Sequence, residues 1–383
     1  MDNNTRVVLV RKLDPDGTPN GSYQVIETLA GMTMKPNGDV KERNTVNASM
    51  SDRGAKVGAK NWDINLPVEL KGAGVTGNTV NTPELNNIFQ ACGMILDAAA
   101  MITVSGASGD FTPGEPLTNT TAGNAIGDLA HSVDVGSNKV LWVYNLQNMP
   151  ADTDAIVGDT STETAAVSGT PEDALCYRLV SDRDQHSMCE IHTHFDGIRR
   201  VADRARGTFN FEFKAGEISS LQFSMKGLYA EPTDENLPSA TYSEVEPPFA
   251  ENAGLTIEGY PTADNTIDKF NFSLGQSVVA VSDINSPNGR HSYRIAGKRK
   301  PNGSIDPEVI ALSEFNPFDL WTNGTRAPIH GTLGTAPGER ISVVVTQAQF
   351  TAISDKERAG NDVYDLSYRA TGDNDNEFYM FFH

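Results

Sequence analysis

A mainly β fold is expected: two tandem β-sandwich domains, each with one short flanking helix, and a small β module inserted in the first. Three observations predict it. Glycine (34), proline (20) and abundant Thr, Asn and Ser favour strands and turns over helices. A pattern near the start, VVLV then PNGSYQVIETLAGMTMKPNG (Val7–Val10, Pro19–Gly38), returns as VVAV then PNGRHSYRIAGKRKPNG (Val278–Val281, Pro287–Gly303). Proline fixes φ and Asn-Gly tolerates positive φ, so each Pro-Asn-Gly reads as a tight turn. Two such turns in each half, with the same flanking order, argue for a duplicated β domain. The third observation is a helix in each half, TPELNNIFQACG (Thr82–Gly93) and NPFDLWTNG (Asn316–Gly324), each with a capping residue, a proline and a closing glycine.

Taken in order, residues 6–12 and 22–28 read as strands, and 39–49 as a third. MSDRGAKVGAKN (Met50–Asn61) is polar and lacks a packing stripe, so it reads as a long exposed loop. NWDINLPVELKG alternates Trp62, Ile64, Leu66, Val68 and Leu70 with polar residues, the period of a half-buried strand. In the first helix Thr82 is the expected cap, and Leu85, Ile88, Phe89 and Cys92 form one buried stripe. Gly207–Tyr229 reads as a hairpin turning at Ala215-Gly216, and VLWVYNL (Val140–Leu146) as a strand. Gly207-Thr208 and Gly216–Ser219 echo Gly331-Thr332 and Gly338–Ser342, but the helix-to-strand spacing is far longer in the first half. That difference places an insertion roughly between Asp97 and Asp196. The first domain is therefore expected to comprise 1–96 and 185–232, the module 97–184, a Pro- and acid-rich linker 233–254, and the second domain 255–383. The second copy closes with strand segments Glu339–Phe350, Tyr364–Gly372 and Glu377–His383.

The formal net charge is −20 with a pI near 4.7, which repels phosphate backbones at long range and argues against a sequence-specific nucleic-acid reader. No apolar run approaches membrane-spanning length, and MDNNTRVVLV lacks the pattern of a secretory signal. Cys92, Cys176 and Cys189 are odd in number and scattered, so folding in a reducing cytoplasm without a disulfide framework is expected. HSMCEIHTHF gathers His186, Cys189, His192 and His194, but no standard zinc spacing is met. TGDNDNEF (Thr371–Phe378) has the wrong residue at the sharp turn of a calcium loop and reads as a hairpin turn. RGAKVGAKN fails the phosphate-loop pattern. No G-x-S-x-G occurs, and no constellation for catalysis is found, so neither enzyme activity nor a cofactor or metal is expected.

The runs NWDINLPVELKGAG, TPELNNIFQACGM and DGIRRVADRARGTFNFEFKAGEISSLQFSMKGLYAEP resemble tail tube (major tail) proteins of long-tailed bacteriophages, over Asn61–Met94 and Asp196–Pro232. The resemblance implies a structural virion protein, made in the host bacterial cytoplasm, whose inner strands join between subunits into a barrel. Rings stack into a tube through which double-stranded DNA passes without specific binding, and an acidic lumen would lessen adhesion. Six tube domains per ring and two per chain imply a trimeric pseudo-hexamer, with tape-measure, tail-tip and tail-terminator proteins as further partners. The long loop, through Met50, Asp52, Arg53, Gly54, Lys56, Gly58 and Lys60, is implied to order against a neighbouring subunit. No equally long loop lies between Gly303 and Asn316, and the inserted module would project outward. The competing expectation is a virion or cell-surface β protein that binds a host glycan or receptor through the inserted module. A hydrolase using His186–His194 ranks behind both.

Overall fold

The computed structural model describes residues 6–43, 45–46, 48–49, 51, 54–262 and 265–383. In the first half, β1 (Arg6–Leu13) and β2 (Pro19–Ile26) form one hairpin, and β3 (Thr33–Lys41) and β4 (Lys56–Glu69) a longer one. Trp62, Ile64, Leu66 and Val68 all face the core, as their alternation requires. The third strand lies earlier than 39–49, ending at Lys41, because its register is set by pairing Thr33–Lys41 with β4. The first helix, α1 (Asn86–Ala91), is also shorter than expected. A turn through Pro83 and Leu85 precedes it, and Leu85, with no side-chain cap, replaces Thr82 at the N-cap. The buried stripe Leu85, Ile88, Phe89 and Cys92 holds the helix instead.

The following strands are β5 (Met94–Ser105), β6 (Pro116–Asn119), β7 (Asn124–Val135), β8 (Asn138–Tyr144), β9 (Ala155–Gly158), β10 (Thr164–Val167) and β11 (Glu172–Leu179). Antiparallel pairing runs β5–β8–β7–β6–β9–β10 and back to β5, a closed ring of strands. Closure leaves this ring without sheet edges. Inside lies a separate core that includes Ile102, Leu117, Ile126, Leu141 and Ile156.

The first half resumes with β12 (Met188–Phe195), β13 (Ile198–Lys214) and β14 (Ser220–Tyr229). The β13–β14 hairpin turns at Ala215-Gly216 as expected, with Gly216 at φ 73°. Next come β15 (Thr256–Ile257), β16 (Ile267–Ser273), β17 (Ser277–Ser282), β18 (Arg290–Ala296) and β19 (Asn302–Pro307). The chain ends with α2 (Pro317–Asn323), β20 (Arg326–Leu333), β21 (Ile341–Arg358), β22 (Asn361–Ala370) and β23 (Tyr379–Phe382). Asn316 caps α2 by accepting from the Phe318 and Asp319 amides, and Gly324 closes it in the left-handed region.

One order of pairing occurs twice. In the first half it runs β3–β4–β14–β13–β12–β1, and in the second β16–β19–β22–β21–β20–β15. This order corrects the sequence echo. Val7–Val10 lie in β1, against β12, whereas Val278–Val281 lie in β17, which among the described residues pairs only with β18, in a separate sheet. Of the Pro-Asn-Gly triplets, only Pro287–Gly289 is a turn, with Asn288 at φ 62°. Pro19–Gly21 begins β2, Pro36–Gly38 lies inside β3, and Asn302-Gly303 begins β19. Proline is tolerated at a strand start and on an edge strand, so the same tripeptide serves different geometries. Gly207 and Gly331 likewise sit on strands with different places in the order, β13 and β20. The second-half counterpart of the β3–β4 connection is therefore the span between β16 and β19, which holds the β17–β18 hairpin. The long connection of the second half thus lies before Gly303, not between Gly303 and Asn316.

The halves share a backbone ladder, with Asn210–Lys214 of β13 paired to Lys269–Ser273 of β16. Phe211, Phe213, Phe270 and Phe272 cluster along this seam, and Phe378 stacks on Phe272 at 4.1 Å. The β17–β18 hairpin lies over the first half, where Arg290 donates to Asn61 (2.5 Å) and Arg204 to the His291 carbonyl (3.2 Å). The module is tied down at its base: β11 pairs with both β5 and β23, and β23 pairs with β21. The connector after β14 is largely irregular, touching β13 through Thr233–Asp234 and bridging Ile218 through Phe249.

Removing the seam's central ring tests its weight. Phe211→Ala is expected to destabilise the chain by about 3–5 kcal/mol, read as a lower urea midpoint, because a large cavity opens between two halves at once.

Candidate assembly edges and open sheet face

The seam turns two half-sheets into one continuous antiparallel run, β3–β4–β14–β13–β16–β19–β22–β21. One side of it is packed on the core. Phe378, Phe382 and α1 lie there, and so does the stalk of the inserted module, through Tyr177 and Leu179 of β11. Among the described residues the other side carries no layer of its own along most of its length, the β17–β18 hairpin lying over its Asn61–Asn65 end. Registered rows on that side read Asn65–Ser224–Thr208, then Gln222–Asn210–Ser273–Asn302, then Glu212–Asn271–Ser304–Ser367. The face is thus built of amides and hydroxyls, with no aromatic residue in these rows.

Charges on this side come in both signs. Lys35, Lys214, Lys226, Lys269, Lys356 and Arg369 stand among Asp63, Glu69, Glu212, Asp306 and Asp365. Many are paired across strands: Lys269 with Glu212 at 2.5 Å, Lys356 with Asp365 at 2.5 Å, and Asp306 with Arg358 at 2.7 Å. Asn37 donates to Asp63 (2.8 Å), Asn271 donates to Ser304 (2.7 Å), and Gln222 donates to Asn65.

Both ends of this run lack a strand partner among the described residues. β3 pairs only with β4, and β21 beyond Phe350 pairs only with β22. Two carbonyls of the β3 region accept from arginine side chains instead, Met32 from Arg6 (2.8 Å) and Met34 from Arg200 (3.0 Å). Capping an edge with long cations blunts unwanted strand pairing.

The expected loop is partly overturned. Lys56, Gly58 and Lys60 belong to β4, where Lys56 pairs with Lys41 and Lys60 with Gly38, so they form an arm of hairpin rather than a loop. Lysine, glycine and alanine gave no strand signal of their own; the ladder with β3 imposes it. Gly54 lies outside the strand, exposed and at φ 66°, while Met50, Asp52 and Arg53 fall outside the described residues. The arm displays an apolar cross-strand pair, Val40 and Val57, 62% and 57% exposed. On the second half, α2 presents Phe318 and Trp321 to solvent, whereas the buried face of α1 packs Phe89 against Tyr177 and Phe382.

The histidine run serves packing and polar satisfaction. Cys189 donates to the Ala205 carbonyl, and His186 is buried beside the Val180 carbonyl. Glu190 is held by Arg11 (2.6 Å), Tyr23 (2.7 Å) and His192 (3.1 Å). Burial opposes its charge, but these hydrogen bonds outweigh burial and bring its pKa down to about 2. Asp375 and Glu377, from the calcium-like stretch, instead hold Arg299, which also donates to the Val180 carbonyl (2.7 Å). The stretch is a turn joining β22 to β23. Among the described residues no group of three or more His, Cys, Asp or Glu could hold a metal.

Sequence reasoning missed the seam, although FNF occurs at Phe209–Phe211 and again at Phe270–Phe272. It also missed a buried contact between module and second half, His131 against His330 at 3.3 Å beside Trp142. Burial lowers these histidines to about 3 and about 4. With folded values below the unfolded 6.5, both are neutral in the fold, and the unfolded chain binds more protons as the medium acidifies. Stability is then complete above pH 6.5 and falls towards pH 4, at about 1.4 kcal/mol per pH unit for each histidine. Urea midpoints between pH 7 and 4 should drop less steeply in His131→Phe/His330→Phe than in the parent chain.

A family model described as phage tail tube protein matches residues 2–370. No curated protein matches the chain.

Proposed function

Because the chain belongs to the phage tail tube protein family, we propose that it works as a structural subunit of the virion tail by closing its open sheet edges against further copies of itself. The observation that carries this reading is the continuous sheet that crosses both halves and ends in strands whose outer edges have no partner among the described residues, β3 at one end and the outer part of β21 at the other. Exposed strand edges template pairing with another chain, and a closed ring removes them. The seam supplies a pattern for that contact. Inside one chain β13 receives β16, and by the recurring order β21 of one copy would receive β3 of the next.

With two copies of the pairing order per chain, three chains close a pseudo-hexameric ring, and rings stack into a tube. Core, helices and module stalk all lie behind the sheet, so the bare polar face is the one left to line the channel. Double-stranded DNA would pass along it without specific binding, with tape-measure, tail-tip and tail-terminator proteins as partners at the tube's interior and ends. The arm bearing Gly54, Lys56, Gly58 and Lys60 would seat on the neighbouring copy, as the β17–β18 hairpin seats on the first half within the chain. No catalytic step is assigned to the protein.

Electron microscopy of the purified chain tests the reading. Rings or tubes with a central hole are expected; discrete monomers under all concentrations and with tail-tip protein added would contradict it. Val40→Asp/Val57→Asp should leave the urea midpoint of the free chain unchanged while raising the concentration needed for tubes by on the order of tenfold or more, since each buried valine is worth about 1.5–3 kcal/mol.

A further inference from the structure

We infer that the cleft between the inserted module and the second half is a binding site for a neutral sugar residue, with the module supplying its apolar lining and the second half most of its polar one. The inference does not rest on the proposed ring. The cleft lies behind the sheet, where Met101 and Trp142 of the module pack with Val344, Tyr379 and Phe381.

Its volume is about 380 Å³. Small-ligand sites span roughly 300–1,000 Å³ and join an apolar lining to a few convergent polar groups. Here Met101 of β5, Val133 of β7, and Val140 and Trp142 of β8 are the apolar part. Thr332 of β20, Arg340, His383 and, from the start of β11, Glu172 are the polar part. The exposed Val135, Thr170 and Asn252 mark the mouth.

The polar groups are wired together but not saturated. Arg340 donates to Glu172 (2.8 Å), His383 Nε2 meets Ser342 Oγ (2.8 Å), and Ser342 meets Thr332 (2.6 Å). His383 Nδ1 stands 3.5 Å from Glu172, too long for a good hydrogen bond. His383 is only 5% exposed, yet this nitrogen has no hydrogen-bond partner, and neither has the buried Arg340 Nε. Buried polar atoms left unpaired call for a partner, and both of these belong to residues that line one cavity.

Charge selects the class of ligand. His383 and Arg340 hold the Glu172 carboxyl below its usual range against the opposing effect of burial, so it stays an ionised acceptor. An anion drawn to Arg340 would meet that carboxylate, and a cation drawn to Glu172 would meet the guanidinium. A neutral polyol escapes both conflicts, since one hydroxyl accepts from the arginine while another donates to Glu172. Hydrogen bonds with one charged partner are the strong ones. A pyranose also carries a face of C–H groups, which suits Met101, Val133 and Val140. An alkyl chain would satisfy the apolar lining alone, and a small ion the polar lining alone.

Saturation-transfer difference NMR on the free, full chain tests the inference. The probes are the methyl glycosides of glucose, galactose, mannose and N-acetylglucosamine, with acetate and methylammonium as charged controls. At least one glycoside should receive saturation at its ring C–H protons, and neither ion should. Glu172→Gln and Arg340→Met should each weaken that glycoside by on the order of tenfold or more, as loss of a hydrogen bond to a charged group does. Thr170→Trp, on an exposed loop, should block the mouth and abolish binding with no change in urea midpoint. If Arg340→Met lowers the urea midpoint, Thr170→Trp carries the test in its place. Saturation of no glycoside, binding of acetate or methylammonium instead, or a glycoside bound equally by the parent and by Glu172→Gln and Thr170→Trp would overturn the inference. Because binding is read on the free chain, that failure leaves the tube reading intact, and absence of tubes leaves this site intact.

Discussion

The structure depends first on the ladder between β13 and β16. Five residues from each strand, Asn210–Lys214 and Lys269–Ser273, exchange backbone hydrogen bonds, and the phenylalanines behind them fuse two cores into one. Without that ladder the chain would be two separate sandwiches with four half-sheet edges to protect. With it, the edges of the shared sheet move to the outer ends, β3 and β21. Everything proposed about assembly follows from where those ends lie.

A constraint on the insertion follows from the same geometry. A module placed between α1 and β12 sits at the heart of the first half, and an open-edged one would compete for the pairing that assembly needs. The module avoids this by closing its strands on themselves, and by entering and leaving through β5 and β11, which run side by side. Its base is fixed by β23, Trp142 and the His131–His330 contact, so it adds mass to the second half without disturbing the sheet.

Much of the architecture was legible from local pattern. The alternation from Trp62 to Leu70 fixed a strand and its buried side, and Asn316, Pro317 and Gly324 marked α2 at both ends. The family was legible too, from the runs around Asn61–Met94 and Asp196–Pro232. What misled was treating tripeptides as positions. Pro-Asn-Gly bends the chain at Pro287 but runs on as strand at Pro36, because tertiary pairing decides which of its allowed shapes is used. The duplication is a matter of pairing order, and strands of similar composition at Val7 and Val278 take different places in it. The Lys56–Lys60 arm was hidden for the same reason: its side chains have no strand preference, and only β3 opposite them makes a strand.

The central claim is that the outer edges of β3 and β21 are unpaired in the free chain and paired in the assembly. Hydrogen–deuterium exchange of amides in 33–41 and 350–358, compared between free subunit and tube, tests it most directly. Slow exchange appearing in both segments only on assembly is the predicted result. Equal exchange in the two states, or protection confined to the inserted module, would contradict it.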